Sequence, residues 1–332
     1  MKRLAIISLI LLLCLSLSSC SRSIAFIKGA DNADYMAITK IDHCVVEPDD
    51  RLHMNDEDFR YYKKLMNAML NRKESVKLGS DEKQNEYYLD LLMQSPYFFF
   101  VKTSKLKGDT IHFTYKYSES QQNEMLQFID SKFLEICNTN ASESDNTLDT
   151  ILNIHGAVGR MMTYDHSRTD NKKIDSPLFL HPDDEIYKAL KDETSLCYGF
   201  AYTFRFALLQ MGIDCFCVYG PCSDRNEAHM WNIFKYNGEF YTCDPAWDRA
   251  EDEYVHLYHF GKTDKERATD YLEERRFSST FFDEYGKVEC TDDTFKIFRG
   301  ISRYSYVNTH TYYMETFDGE ELIFDTETFE LK

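Results

Sequence analysis

The sequence predicts an α+β protein, and three observations lead there. A largely apolar segment over residues 197–211 reads as a buried helix that stops at Gly212. Three runs of strand character follow it, over 213–219, 228–234 and 239–244, the last two joined by the turn pair Asn237-Gly238. The C-terminal end then alternates as strands on either side of Asp318-Gly319, so helices and antiparallel strands occupy separate stretches of the chain.

From the first residue, Lys2 and Arg3 precede an uncharged, mostly apolar run over 4–17 and then Ser18-Ser19-Cys20. Fourteen residues span only about 21 Å as a helix against roughly 30 Å of hydrocarbon, so the run is expected to be a cleaved export signal and not a membrane span. Leu17-Ser18-Ser19-Cys20 resembles the bacterial lipobox, which implies cleavage after residue 19, lipidation of Cys20 and an outward-facing, membrane-anchored protein. Cleavage removes two positive charges from the formal −18 at pH 7 and leaves −20. Such acidity disfavours nucleic acid as a partner.

Residues 20–54 show no strong period and are expected to be a tether. Phe59, Tyr62, Met66 and Met69 recur at helical steps after Asn55, and a second short helix is expected near 82–93. Residues 97–103 and 110–117 are rich in aromatic and β-branched types around Lys107-Gly108-Asp109, predicting a hairpin. Met125, Phe128, Ile129, Phe133 and Ile136 return to helical spacing, and a polar stretch closes an N-terminal α/β accessory region over 55–145.

A core over 146–262 begins with the stripe Leu148, Ile151, Leu152, His155, Val158 and Met162. On that apolar face His155 is expected to be a packed, hydrogen-bonded core residue, and His256 and His259, lacking an H-E-x-x-H context, structural or surface histidines. A short helix near 185–190 precedes Ser195-Leu196-Cys197-Tyr198-Gly199. A cysteine opening a helix has its thiolate favoured by the macrodipole, and the backbone N–H groups there can receive an oxyanion. His229 starts one strand and Asp244 ends the next, so a hairpin can set a carboxylate beside an imidazole, the orienting half of a catalytic triad.

The ordered set Cys197-Tyr198-Gly199, Ala228-His229-Met230-Trp231-Asn232 and Asp244-Pro245-Ala246-Trp247-Asp248 resembles the transglutaminase-like superfamily, of papain-like fold. The resemblance implies Cys197 as nucleophile, His229 as general base and Asp244 as orienting carboxylate. Tyr164-Asp165 resembles the family's segment ahead of the nucleophile, which makes Tyr164 a candidate for oxyanion support. It further implies a cysteine protease or amidase, or a protein-glutamine transamidase, acting on peptide or protein amides at the cell envelope. The reading from another class is a non-catalytic surface lipoprotein that keeps the fold to bind a peptide or protein partner.

Of ten cysteines, Cys14 leaves with the signal and Cys20 carries lipid. With Cys197 as nucleophile seven remain, an odd number, so at least one more thiol stays unpaired. Cys215, Cys217, Cys222 and Cys243 lack the C-x2-C spacing of a zinc knuckle, and no EF-hand spacing occurs, so no metal cofactor is expected. Beyond Asp264, Glu266-Arg267 and 273–276 are expected on a solvated helix face, within a β-rich extension over 263–332.

Overall fold

The computed structural model describes residues 37–46, 56–81, 85, 88–89, 92, 95–167, 185–222, 227–250, 254–269 and 288–332. The expected signal and lipidation site at Cys20 lie outside the described residues, as do 273–276. Among the described residues no helix is long and apolar enough to cross a membrane.

The first helix, α1 (Asp56–Leu70), buries Tyr62, Leu65, Met66 and Met69, the three-and-four spacing that its sequence carries. β1 (Ser75–Lys77) follows. The aromatic run begins differently from the expected strand. Pro96–Phe100 forms a 3-10 turn, because Ser95 caps it by accepting the Tyr97 N–H at 3.2 Å and Pro96 occupies its first position. Extended backbone starts only at β2 (Val101–Lys107), which pairs with β3 (Thr110–Tyr115) in the order β1-β3-β2. Between them Gly108 takes φ 61°, as the tight turn requires.

Two capping boxes launch the next helices. Ser118 and Gln121 start α2 (Glu119–Thr139), and Asn146 and Asp149 start α3 (Thr147–Met161). β4 (Thr163–Tyr164), α4 (Glu185–Asp192) and β5 (Thr194–Ser195) lead to α5 (Cys197–Gln210). Every residue from Cys197 to Leu209 is buried, so α5 is the central helix, largely apolar apart from the buried Thr203 and Arg205. It packs on α3 and on an antiparallel sheet of β6 (Cys215–Cys222), β7 (Glu227–Tyr236) and β8 (Glu239–Cys243), in that order. The Asn232 amide fastens helix to sheet, donating to Ala201 O at 3.0 Å and Phe216 O at 3.1 Å.

β9 (Val255–His256) and α6 (Asp264–Thr269) follow, and then a 3-10 turn at Thr294–Phe298. β10 (Ile301–Asn308), β11 (Thr311–Thr316), β12 (Glu321–Asp325) and β13 (Glu330–Leu331) form an antiparallel sheet that takes β9 as its edge strand. This sheet is clamped onto α3. Tyr304 donates its hydroxyl to Leu152 O at 2.7 Å and Tyr312 to Asn153 Oδ1 at 2.9 Å. Asp149, fully buried, accepts from Thr326 at 2.6 Å and from His310 at 2.5 Å. The protein is thus an α+β fold with a helix-on-sheet core and a C-terminal β-sheet, as its sequence predicts.

Candidate active site

The site is assembled where α5 begins. β5 pairs in parallel with β4, setting Tyr164 beside Ser195 and Thr163 beside Thr194. This pins the backbone two residues ahead of Cys197, the first residue of α5. Leu196 at the N-cap offers no side-chain cap, so the positive end of the macrodipole falls at Cys197. Gly199 is needed for this approach: a Cβ there would lie 2.0 Å from Ser195 Oγ. Cys44, Cys137, Cys197, Cys215, Cys217, Cys243 and Cys290 are all buried, and Cys197, 6% exposed, is the most accessible of these seven.

His229 comes from β7 and Asp244 from the residue after β8. The hairpin register pairs Asn232 with Cys243, which carries Asp244 back toward His229. His229 Nε2 lies 2.7 Å from Asp244 Oδ2, and the His229 side chain is also hydrogen-bonded to that of Cys197. With Nε2 on the carboxylate, Nδ1 is the nitrogen left for the sulfur. Asp244 Oδ1 accepts the Trp247 N–H at 3.1 Å, and the Trp247 indole stacks on the imidazole at 4.5 Å and 24°. The structure therefore brings together the three residues that the sequence singled out.

Electrostatics agree with the geometry. Burial disfavours the charged form of His229, yet Asp244 and the Cys197 sulfur outweigh it and raise its pKa to about 9. Asp244 is fully buried, which opposes ionisation, but His229 and Arg267 hold it well below the usual carboxylate range. Burial pushes the Cys137 thiol up to about 12 and Cys243 well above its ordinary value. Burial thus keeps these two thiols in the protonated form.

Tyr164 lies against Phe200 of α5, ring centroids 6.3 Å apart, with the Arg249 guanidinium 5.3 Å over its face. It is thus near the start of the nucleophile's helix through the β4–β5 pair. His155 is fully buried, its Nδ1 2.8 Å from the Tyr304 hydroxyl. Asp248 faces His155 Nε2 at 3.4 Å and accepts the His259 N–H at 2.9 Å, so it points away from His229. His256 Nδ1 bonds Ser302 O at 2.7 Å, a structural role.

The expectation of a solvated face at Glu266-Arg267 is corrected by the structure. Glu266 does reach the partly exposed Arg299, at 2.7 Å, but Arg267 is 4% exposed and turns inward. Its Nη2 donates to Asp244 Oδ2 at 2.6 Å and its Nη1 to His259 Nδ1 at 3.1 Å. The guanidinium carbon sits 5.3 Å from the Trp231 ring and 5.0 Å from the Trp247 ring. A charged hexapeptide carries no period that announces burial. The available signal was that the chain's only two tryptophans fall in the motifs of His229 and Asp244, where they can receive a cation.

Residues 137–245, about a third of the chain, match the family model described as the transglutaminase-like superfamily. Among curated proteins none matches the chain. Several solved structures are similar to it. A crystal structure described as a TGase has 13% identity and a TM-score of 0.31, covering 53% of this chain and 50% of its own. EGTA-treated LapG of Legionella pneumophila has 12% identity and a TM-score of 0.28, covering 64% of this chain and 86% of its own. The chain spans about half the length of the first of these.

Proposed function

We propose that the transglutaminase-like core is a cysteine acyl-transfer enzyme acting on peptide or protein amides, with Cys197, His229 and Asp244 as its catalytic triad. The observation that carries this reading is the chain of side-chain contacts from Cys197 through His229 to Asp244, closed at 2.7 Å. The Cys197 thiolate attacks the amide carbon, forming a C–S bond and an oxyanion that the N-terminal backbone of α5 faces. Tyr164 is assigned to support that oxyanion, a role suggested by the resemblance of Tyr164-Asp165 to the family's segment ahead of the nucleophile. The imidazolium of His229 gives its proton to the leaving nitrogen as the C–N bond breaks, and a thioester remains. His229, now neutral, takes a proton from the water or amine that resolves the thioester. Asp244 keeps the ring turned toward the sulfur and stabilises its charged form. Water as acceptor makes a protease or amidase, and an amine makes a transamidase.

Incubating the protein with a glutamine-containing peptide library, with and without a labelled amine, separates the two outcomes by intact mass. Detection of shortened or deamidated peptides, or of amine adducts, each dependent on Cys197, supports the enzyme. Tight peptide binding with no Cys197-dependent product favours the non-catalytic surface protein instead.

We further propose that the mature chain is held at a bacterial membrane through lipid on Cys20, outward facing. The support is the short apolar run ending in Leu17-Ser18-Ser19-Cys20. Cys20→Ala is expected to release the protein from membranes or block its processing, as fractionation and mass analysis of the N-terminus would read. Unchanged membrane retention with no acyl group on the mature N-terminus contradicts the anchor.

A further inference from the structure

Asp244 carries two partners on one oxygen. His229 Nε2 approaches Oδ2 at 2.7 Å and Arg267 Nη2 approaches the same atom at 2.6 Å, and all three side chains are almost wholly removed from solvent. A thiolate, an imidazolium and a carboxylate sum to one negative charge in a buried site. Arg267 brings that sum to zero. Removing a single member of such a buried set leaves an uncompensated charge.

We propose that Arg267 is a positioning residue of this site, fixing the orienting carboxylate between two cations and balancing the charge of the active thiolate–imidazolium form. The inference rests on the catalytic reading above and adds to it a residue from α6, outside the three motifs. Its placement is over-determined: two indole rings flank the guanidinium, His259 takes its second amino group, and one of those indoles also stacks on His229. The carboxylate, the imidazole and the guanidinium therefore share one wall, Trp247. The other titratable groups close to this set are Cys197 across from His229, His259 beside Arg267, and Cys243 and Asp248 behind Asp244.

The sign of the effect separates this role from loose packing. Arg267 is a positive charge near the imidazolium and opposes its proton, whereas Asp244 favours it. The readout is the rate of iodoacetamide alkylation at Cys197 from about pH 5 to 10, in which an inflection near pH 9 marks loss of the His229 proton. Arg267→Gln is expected to move that inflection upward by about half a unit or more, and Asp244→Asn to move it downward. Arg267→Lys, which retains the charge, is expected to stay near the wild-type position. Combining Asp244→Asn with Arg267→Gln removes both buried charges and is expected to raise the inflection again relative to Asp244→Asn alone. A structural role predicts a double variant at least as disturbed as either single one.

An Arg267→Gln inflection at the wild-type position, or a double variant at or below Asp244→Asn, overturns the proposal. If Arg267→Gln does not fold, the lysine and double variants decide by the same criteria. His229→Ala distinguishes the two levels of inference. If it slows Cys197 alkylation while Arg267→Gln changes nothing, the role of Arg267 alone is wrong. If His229→Ala leaves Cys197 alkylation untouched, the catalytic reading itself fails.

Discussion

Cys197→Ala is expected to abolish acyl transfer, with a loss on the order of 10⁵-fold or more, limited by the assay background. Cys243 and Cys137 are sealed in the core with their thiols pushed up by burial, and neither is hydrogen-bonded to an imidazole in the way that Cys197 is to His229. The side chain is small and removing its sulfur at the helix N-terminus disturbs no core contact beyond that atom, so the fold is expected to survive. Comparing turnover of a peptide amide with the thermal unfolding midpoint checks both halves. Residual Cys197-independent turnover at more than about a hundredth of wild type would place the chemistry elsewhere.

Asp244→Asn is expected to lower turnover by about 10² to 10⁴-fold. The amide can still accept a hydrogen bond from His229 Nε2, but it carries no charge with which to stabilise an imidazolium. The pH dependence follows from the same atom. His229 has its pKa raised to about 9, so in the wild-type protein its imidazolium persists up to about pH 9 and activity is expected to fall above it. Removing the negative charge of Asp244 lowers the His229 pKa, and the alkaline limb moves toward neutral pH. Arg267 sharpens this shift, because in Asp244→Asn its positive charge, 2.6 Å from the carboxylate oxygen in the wild type, is left facing the imidazole without an intervening anion. A pH–rate profile with an unmoved alkaline limb would remove Asp244 from the triad. Asp248 could not substitute without rearrangement, since its Oδ1 accepts the His259 N–H and its Oδ2 faces His155.

The catalytic constellation was legible because it is local in each of its parts. Cys197 opens an apolar run, and His229 and Asp244 flank a two-residue turn whose register dictates that they meet. Pattern and turn chemistry are short-range information, and a single hairpin converts them into a 2.7 Å contact. The same holds for α1, for the hairpin around Gly108 and for the strands on either side of Asp318-Gly319. Arg267 shows the opposite case. It follows the charged run Asp264-Lys265-Glu266, its partner Asp244 is 23 residues away, and only the packing of α6 against the core turns it inward. The start of the aromatic run failed for a local reason: β-propensity in Tyr97 to Phe100 is overridden by Ser95 and Pro96, which commit the backbone to a turn. The C-terminal sheet was readable as strands, but its clamp on α3 through Asp149, His310 and Thr326 joins residues more than 150 positions apart.

The central claim, that Cys197 is a nucleophile activated by His229, is tested most directly by mapping iodoacetamide adducts by mass spectrometry at about pH 6, where an ordinary thiol with a pKa of about 8.5 is almost wholly protonated. Cys197 is expected to label first and faster than every other cysteine of the mature chain, and His229→Ala is expected to slow labelling at Cys197 alone. Another cysteine labelling first, or a Cys197 rate indifferent to the loss of His229, would contradict the account.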